Sequence, residues 1–388
     1  MSTSDTRALP TTEEEIWRYS RIAELDLDAF AAVPASGDAV LPAPLQAVRD
    51  AIAASAVVFV RNGHVTSVEV TDPKIEITRG RDSMVTPVDA FGWLHDEHAE
   101  PLVVRVPRGH TATGTVLVLQ WIDADASASF PHLIVEAGDD SEVVVYEHSA
   151  SPDDVHALTI PVTELRAAAA SRLRYLHGQV LGARTWQLAR QVSTVDRDAT
   201  LITSAVALGG DYARLRIESA MTGRGASGEM LAAYFGEQRQ MHDVRTLQDH
   251  IAPATTSNLL FKGAVEGRAQ SIYTGLIHIG KEAAGVNAFQ TNRNVKLSEG
   301  AWAHSDPNLE IENNDVRCSH ASTIGPVDED QRFYLESRGV PPQVAERLIV
   351  MGFFDEVLEK LPVPSAVGLL RAEIARKLER RDAEVRDV

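Results

Sequence analysis

The chain has 388 residues, 44% apolar and 24% charged, the balance of a soluble globular protein with room for two or three domains. Its net charge of −18 argues against nucleic acid as a partner, because binding there depends on neutralising phosphates. A single cysteine, Cys318, excludes both a disulfide framework and any cluster held by four thiolates of this chain. No apolar run approaches the ~20 residues that a membrane helix requires.

The N-terminus has acidic residues where a secretion signal would have a basic start and an apolar centre, so a cytoplasmic address is expected. Thr12 followed by Glu15 suits a capping box, and Ile16, Tyr19, Ala23 and Leu27 recur at helical spacing. AAVPASGDAVLPAPL (31–45) reads as a proline-rich linker, and AVVFVRNG (56–63) and VTSVEV (65–70) as strand pieces. Residues 1–100 therefore read as a mixed N-terminal α/β region.

From 101 to 325 short strand-like runs follow one another, among them LVVRVP (102–107), TVLVLQWI (115–122), EVVVYEHS (142–149) and SIYTGLIHIG (271–280). No convincing helix separates them, which disfavours a doubly wound sheet. A small or polar residue ahead of a strand recurs near Asp140, Ala169, Ala199, Ala226, Ala269 and Ala301, at gaps of 29, 30, 27, 43 and 32 residues. A loose period of short strands predicts a parallel β-solenoid; a jelly roll or other sandwich is the alternative.

Residues 326–388 read as a helical domain. Asp328 with Gln331 starts a helix that Gly339 stops. A second covers 340–362, with Leu348, Met351, Phe354, Leu358 and Leu361 as an apolar stripe that Ile349 and Phe353 widen, expected to be exposed and to need a partner. A third, 366–388, carries Val367, Leu370, Ile374 and Leu378 on one side.

GRGASG (223–228) satisfies a dinucleotide-binding pattern, with Asp243 at the distance of its acidic residue, but the following segment is broken by Gly236 and coil-corner glycines explain it better. His95 and His98 have a spacing that presents two metal ligands on one helical face, with no third in sight. His242, His250, His278 and His304 are scattered and read as structural or surface residues. In VRCSH (316–320), a strand would project Cys318 and His320 from one face, a two-point donor set for iron or zinc that another chain would have to complete; a buried small thiol is the plainer reading of Cys318.

NNDVRCSHASTIGPVDEDQRFYLESRGVPPQVAERLIVMGFFDEVLEKLP (313–362) closely resembles the C-terminal part of the SufB/SufD family of the SUF iron–sulfur cluster assembly machinery. The resemblance extends through 102–109 and 289–311 and, in the N-terminal hundred residues, is confined mainly to EIWRYS (15–20). LSEGAWAHSDP (297–307) lacks the cysteine of SufB-like chains, and Cys-Ser-His stands where those have a glutamate, so the chain is similar to the SufD-like branch. The resemblance implies a right-handed parallel β-helix core flanked by an N-terminal region and a C-terminal helical domain. It implies a heterodimer with a SufB-like paralogue, and a SufC-like ABC ATPase docked on the C-terminal helices, for which Phe333, Leu348, Met351, Phe353, Phe354 and Leu358 are the candidate contacts. His320, with Cys318, would serve the nascent cluster at the paralogue interface. The isolated chain would hold no cofactor of its own, only a transient cluster or iron at that interface; a flavin in iron delivery and a homodimer of the isolated chain stay open. The expected role is a non-catalytic scaffold, and the competing class is a carbohydrate-active hydrolase or lyase on a β-solenoid.

Overall fold

The computed structural model describes residues 7–35, 38–80 and 83–386; parts of the N-terminal signal reading, of the 31–45 linker and of the last helical segment lie outside these described residues. Between Leu102 and Pro326 the chain winds through eight coils of a parallel β-helix. Each coil gives one strand to a twelve-stranded sheet and the next to a ten-stranded sheet, as Thr185–Val195 is followed by Thr200–Ala207 and Trp302–Ile311 by Val316–Pro326. Successive coils are in parallel register, so that Arg172 lies opposite Thr200 and Thr200 opposite Ser227.

At one corner of every coil but the last the chain turns through a left-handed residue: Gly109, Asp140, Ala170, Asp198, Gly225, Ala254 and Gly285. An alanine or aspartate there costs about 1–2 kcal/mol of backbone strain. Each is held by its amide donating to a carbonyl of the next coil, as Ala170 N–H does to Arg197 at 2.8 Å and Ala254 N–H to Ala284 at 2.7 Å. The expected repeat is thus real, although Ala269 and Ala301 mark the opposite corner, which explains the irregular gap of 43 residues before Ala269. The GRGASG stretch is one of these corners, leading into the strand Ser227–Gly236 and not into a helix; a Cβ on Gly223 would come within 1.9 Å of the Arg197 amide nitrogen.

Two layers cover the solenoid. On the outer face of the ten-stranded sheet lie α1 (Ala43–Ala51), α4 (Pro342–Leu358) and α5 (Pro364–Arg386), joined to it by one apolar core that includes Leu45, Phe235, Leu260, Phe354 and Leu370. Residues 15–30 and α2 (Ala90–His98) cover the twelve-stranded sheet, while α3 (Glu329–Ser337) stands out from the body. The hairpin Ala54–Arg61/His64–Val70 extends the ten-stranded sheet at the N-terminal end, its first strand running parallel to Thr111–Trp121.

The helix expected through Ile16, Tyr19, Ala23 and Leu27 is absent. In its place are three 3₁₀ turns, Glu15–Trp17, Ile22–Glu24 and Leu27–Ala29, interrupted at Tyr19 by a φ of 66°. Burying Trp17 and Ile22 on the sheet decides the path, while Ile16 and Tyr19 stay exposed. The expected Thr12–Glu15 capping box is replaced by the Thr11 amide donating to Glu14 Oε1 at 2.9 Å.

Buried histidines make this fold sensitive to acid. Desolvation lowers His95, His148 and His242 to about 3 and His250 to about 4. In the unfolded chain each returns to ~6.5, so below that pH the unfolded state gains protons that the folded state refuses. Stability should be insensitive to these groups above pH 7 and fall as pH drops from about 6.5 towards 4, by up to roughly 1.4 kcal/mol per pH unit for each histidine. The urea midpoint at pH 7.5 and 5.5 measures this; an unchanged midpoint would mean the four rings are hydrated.

Candidate functional site

Among the described residues the solenoid ends without a cap: the strand Val316–Pro326 pairs along one edge only, with Val286–Lys296, and Trp302–Ile311 likewise pairs only with Gln270–Ile279. Both leave a row of backbone N–H and C=O groups facing solvent, an edge that invites another strand. Trp302, Leu309, Ile311, Phe289 and Ile324 are exposed at or beside these edges. Tyr19 reaches from the N-terminal strap to meet His304 at a tilt of 52°, ring centroids 4.7 Å apart, and His304 stacks on Trp302 at 5.8 Å.

Cys318 and His320 sit on this terminal strand, opposite Ala288 and Gln290. Both of those neighbours are buried, so the two candidate donors alternate onto the inward side of the coil, about 6.6 Å apart along the strand. Cys318 is half-buried against Ile277, Ile279, Ala283, Val286 and Ala288, and that burial pushes its thiol pKa up. It is therefore a protonated thiol at neutral pH, and a metal would have to displace the proton. His320 is exposed. Beneath it, Gln290 is buried with both side-chain polar atoms unpartnered among the described residues. No group of three or more His, Cys, Asp or Glu side chains suited to a metal occurs among the described residues.

The other histidines have structural surroundings. His95 and His98 do not converge: His95 is buried, its ring 4.8 Å from His132, whereas His98 stacks on Phe130 at 4.9 Å. His132 bonds Glu164 Oε1 at 3.0 Å, a pairing across coils that no sequence spacing announces. His250 joins Thr255 and Ser257 inside the solenoid, and His278 bonds Asp249 at 2.7 Å.

The C-terminal helices require a correction. The stripe on α4 is not exposed: Met351, Phe354, Leu358 and Leu361 are buried in this chain's own core, with Phe354 facing Phe235 at 6.1 Å between ring centroids. The partner that stripe needed is the solenoid face itself. Phe353 is partly buried beneath Lys262, whose Nζ lies 4.4 Å from its ring and donates to its carbonyl at 2.9 Å. What remains open is Leu348, 52% exposed, with Phe333, 73% exposed, and Tyr334 on α3. A groove of about 800 Å³ runs between α3, α4 and the sheet, lined by Lys262, Arg293, Tyr334, Leu335 and Leu348. As expected, Asp328 caps α3, accepting from the amides of Asp330 and Gln331 at 3.0 Å, and Gly339 follows with a φ of 85°.

Residues 120–353 match the family model described as "SUF system FeS cluster assembly, SufBD core domain". The chain belongs to the SufBD family. An iron-sulfur cluster assembly SufBD family protein of Mycobacterium tuberculosis is 34% identical over 282 residues, 70% of this chain and 68% of the relative. One of Mycobacterium bovis is 39% identical over 203 residues, 50% of this chain and about half, 51%, of that protein. The iron-sulfur cluster assembly protein SufD of Escherichia coli is 25% identical over 387 residues, 95% of this chain and 89% of that protein. Membership in the SufBD family accounts for the β-helix and favours the assembly reading over the carbohydrate-active one. Among the described residues no helix is long and apolar enough to cross a membrane.

The split between buried and open helix residues is directly testable. Phe354→Ala should destabilise the protein by about 3–5 kcal/mol, the cost of emptying a closed aromatic site, whereas Leu348→Asp should leave thermal stability within about 0.5 kcal/mol. Thermal denaturation of both variants decides it, and equal effects would refute the assignment.

Proposed function

We propose that this chain is a non-catalytic, cytoplasmic scaffold subunit for iron–sulfur cluster assembly, active only when a second, SufB-like subunit pairs with the open end of its β-helix. Supporting this is the position of His320: an exposed imidazole on an edge strand, two residues from the only thiol, at the uncapped end of the solenoid. An imidazole and a thiolate are borderline and soft donors suited to iron, and two are too few to close a shell, so the remaining ligands come from the partner's edge. Iron and sulfide are cargo here, assembled between chains and passed on. Without the paralogue the same edge is open to a second copy of this chain. Any flavin that delivers reducing equivalents for iron acts on the assembled complex.

Nucleotide hydrolysis belongs, in this reading, to a SufC-like ABC ATPase seated on α3 and α4. Phe333 and Leu348 supply its apolar contacts, while Met351, Phe354 and Leu358 act from below by fixing α4 on the sheet.

Co-expression with the paralogue and the ATPase tests both surfaces. His320→Ala should co-purify with both partners yet lower reconstituted cluster content by about tenfold or more, the scale on which metal sites respond to losing a supporting group. Leu348→Asp combined with Phe333→Asp should lose the ATPase and keep the paralogue. Wild-type cluster yield from His320→Ala would remove the site assignment, and retention of the ATPase by the double variant would remove the docking assignment.

A further inference from the structure

The outer face of the twelve-stranded sheet carries charges that cluster assembly does not use. Arg190, Arg216 and Arg245 lie directly opposite one another on three successive strands, with Arg214 two residues from Arg216 on the same face. Like charges placed directly opposite in a sheet are destabilising. The four guanidiniums share two carboxylates: Glu218 receives Arg190 and Arg216, and Asp243 receives Arg214 and Arg245. Three of the four use further donors elsewhere, Arg190 on the Thr86 carbonyl, Arg214 on that of Ile16, and Arg245 on that of Arg18 and the Thr274 hydroxyl. Arg216 differs. Its Nη2 bonds Glu218, and Nε and Nη1 have no hydrogen-bond partner among the described residues. Burial, together with the charges of Arg190 and Arg214, holds its pKa below the ordinary value despite Glu218.

Arg190, Arg214 and Arg216 border a cavity of about 220 Å³ beneath α2 and the segment before it, walled by Trp17, Phe91 and Leu188. At roughly 30 Å³ per water this is about seven water volumes, room for one ring and a charged group. The acids on its lining do not neutralise the arginines: Asp89 accepts from the Gly92 amide at 2.9 Å, Asp96 is exposed, and neither forms an ion pair among the described residues. His95 and His132 also border it, His132 tied to Glu164.

We propose that this cavity binds a small organic carboxylate with an apolar, ring-sized body, its charge meeting the N–H groups of Arg216 that have no partner among the described residues and its body packing on Trp17 and Phe91. A bare inorganic anion would answer the charge but leave those walls facing water, and a neutral ring would leave the arginine ladder unrelieved. The site lies on the sheet opposite the helical layer and does not depend on the scaffold reading.

The purified full-length chain is titrated with benzoate and phenylacetate, following tryptophan fluorescence and melting temperature. Benzamide serves as the neutral isostere and inorganic phosphate as the anion without a body. Saturable binding of either carboxylate is expected, with benzamide weaker by about tenfold, as befits loss of a charge-assisted hydrogen bond. Arg216→Met should weaken the carboxylate by a similar factor while leaving the circular dichroism unchanged. Ala99→Leu, which adds bulk on the cavity's apolar wall and keeps every charge, should also abolish binding, and it serves as the test if Arg216→Met fails to fold. No saturable binding of either carboxylate, equal binding of benzamide, an equal effect of phosphate, or unaltered binding in a folded variant would each overturn the proposal.

Discussion

The structure depends on backbone hydrogen bonds that run along the solenoid axis from each coil to the next. They demand that every coil rise by the same amount, so the corners repeat at Gly109, Asp140, Ala170, Asp198, Gly225, Ala254 and Gly285 even where the residue is not glycine. A ladder of this kind satisfies every coil except the last. The donors and acceptors of Trp302–Ile311 and Val316–Pro326 have no next coil, and a sheet edge in that condition is completed by another chain or left as a liability.

The two covering layers make that edge a rigid one. α4 and α5 pack on the ten-stranded sheet through Phe354, Leu358, Leu370 and Ile374 and are tied to it by Lys262 and Lys377. Lys377 is buried against Glu237 and Gln240, and although desolvation lowers its pKa to about 8 it stays mostly protonated at neutral pH, its hydrogen bonds pinning α5 to a coil corner. On the other sheet, Arg214 and Arg245 hold the N-terminal strap by its carbonyls, and the strap in turn places Tyr19 on His304 in the last coil. The open end is thus supported from both chain termini.

Much of this was readable in the residues. Strand runs at a loose period betrayed the solenoid, and Asp328, Gly339 and the prolines marked the C-terminal helices. Misreadings arose where tertiary packing overrode local pattern. Ile16 and Tyr19 have helical spacing, yet burying Trp17 and Ile22 on a preformed sheet outweighed a short helix's propensity. The α4 stripe was seen correctly as apolar, but its partner was 90 or more residues away in the same chain, at Phe235 and Leu260, which no local pattern shows. The arginine ladder was invisible for the same reason: Arg190, Arg216 and Arg245 are neighbours only because coils of differing length bring them into register.

Cys318 and His320 show what an unfinished coil does to chemistry. Their inward-pointing positions would, one coil earlier, lie in a closed interior, as Ala288 and Gln290 do. At the end of the ladder the same geometry leaves an imidazole in solvent and a thiol that its apolar neighbours keep protonated. A second subunit that continued the ladder would dehydrate the histidine and bring further ligands within reach of the cysteine. The metal's charge would then overcome the burial that suppresses the thiolate. In the proposed pairing one event, closure of the edge, would thereby supply further ligands and switch on the thiolate, and would tie the timing of cluster formation to assembly of the two chains.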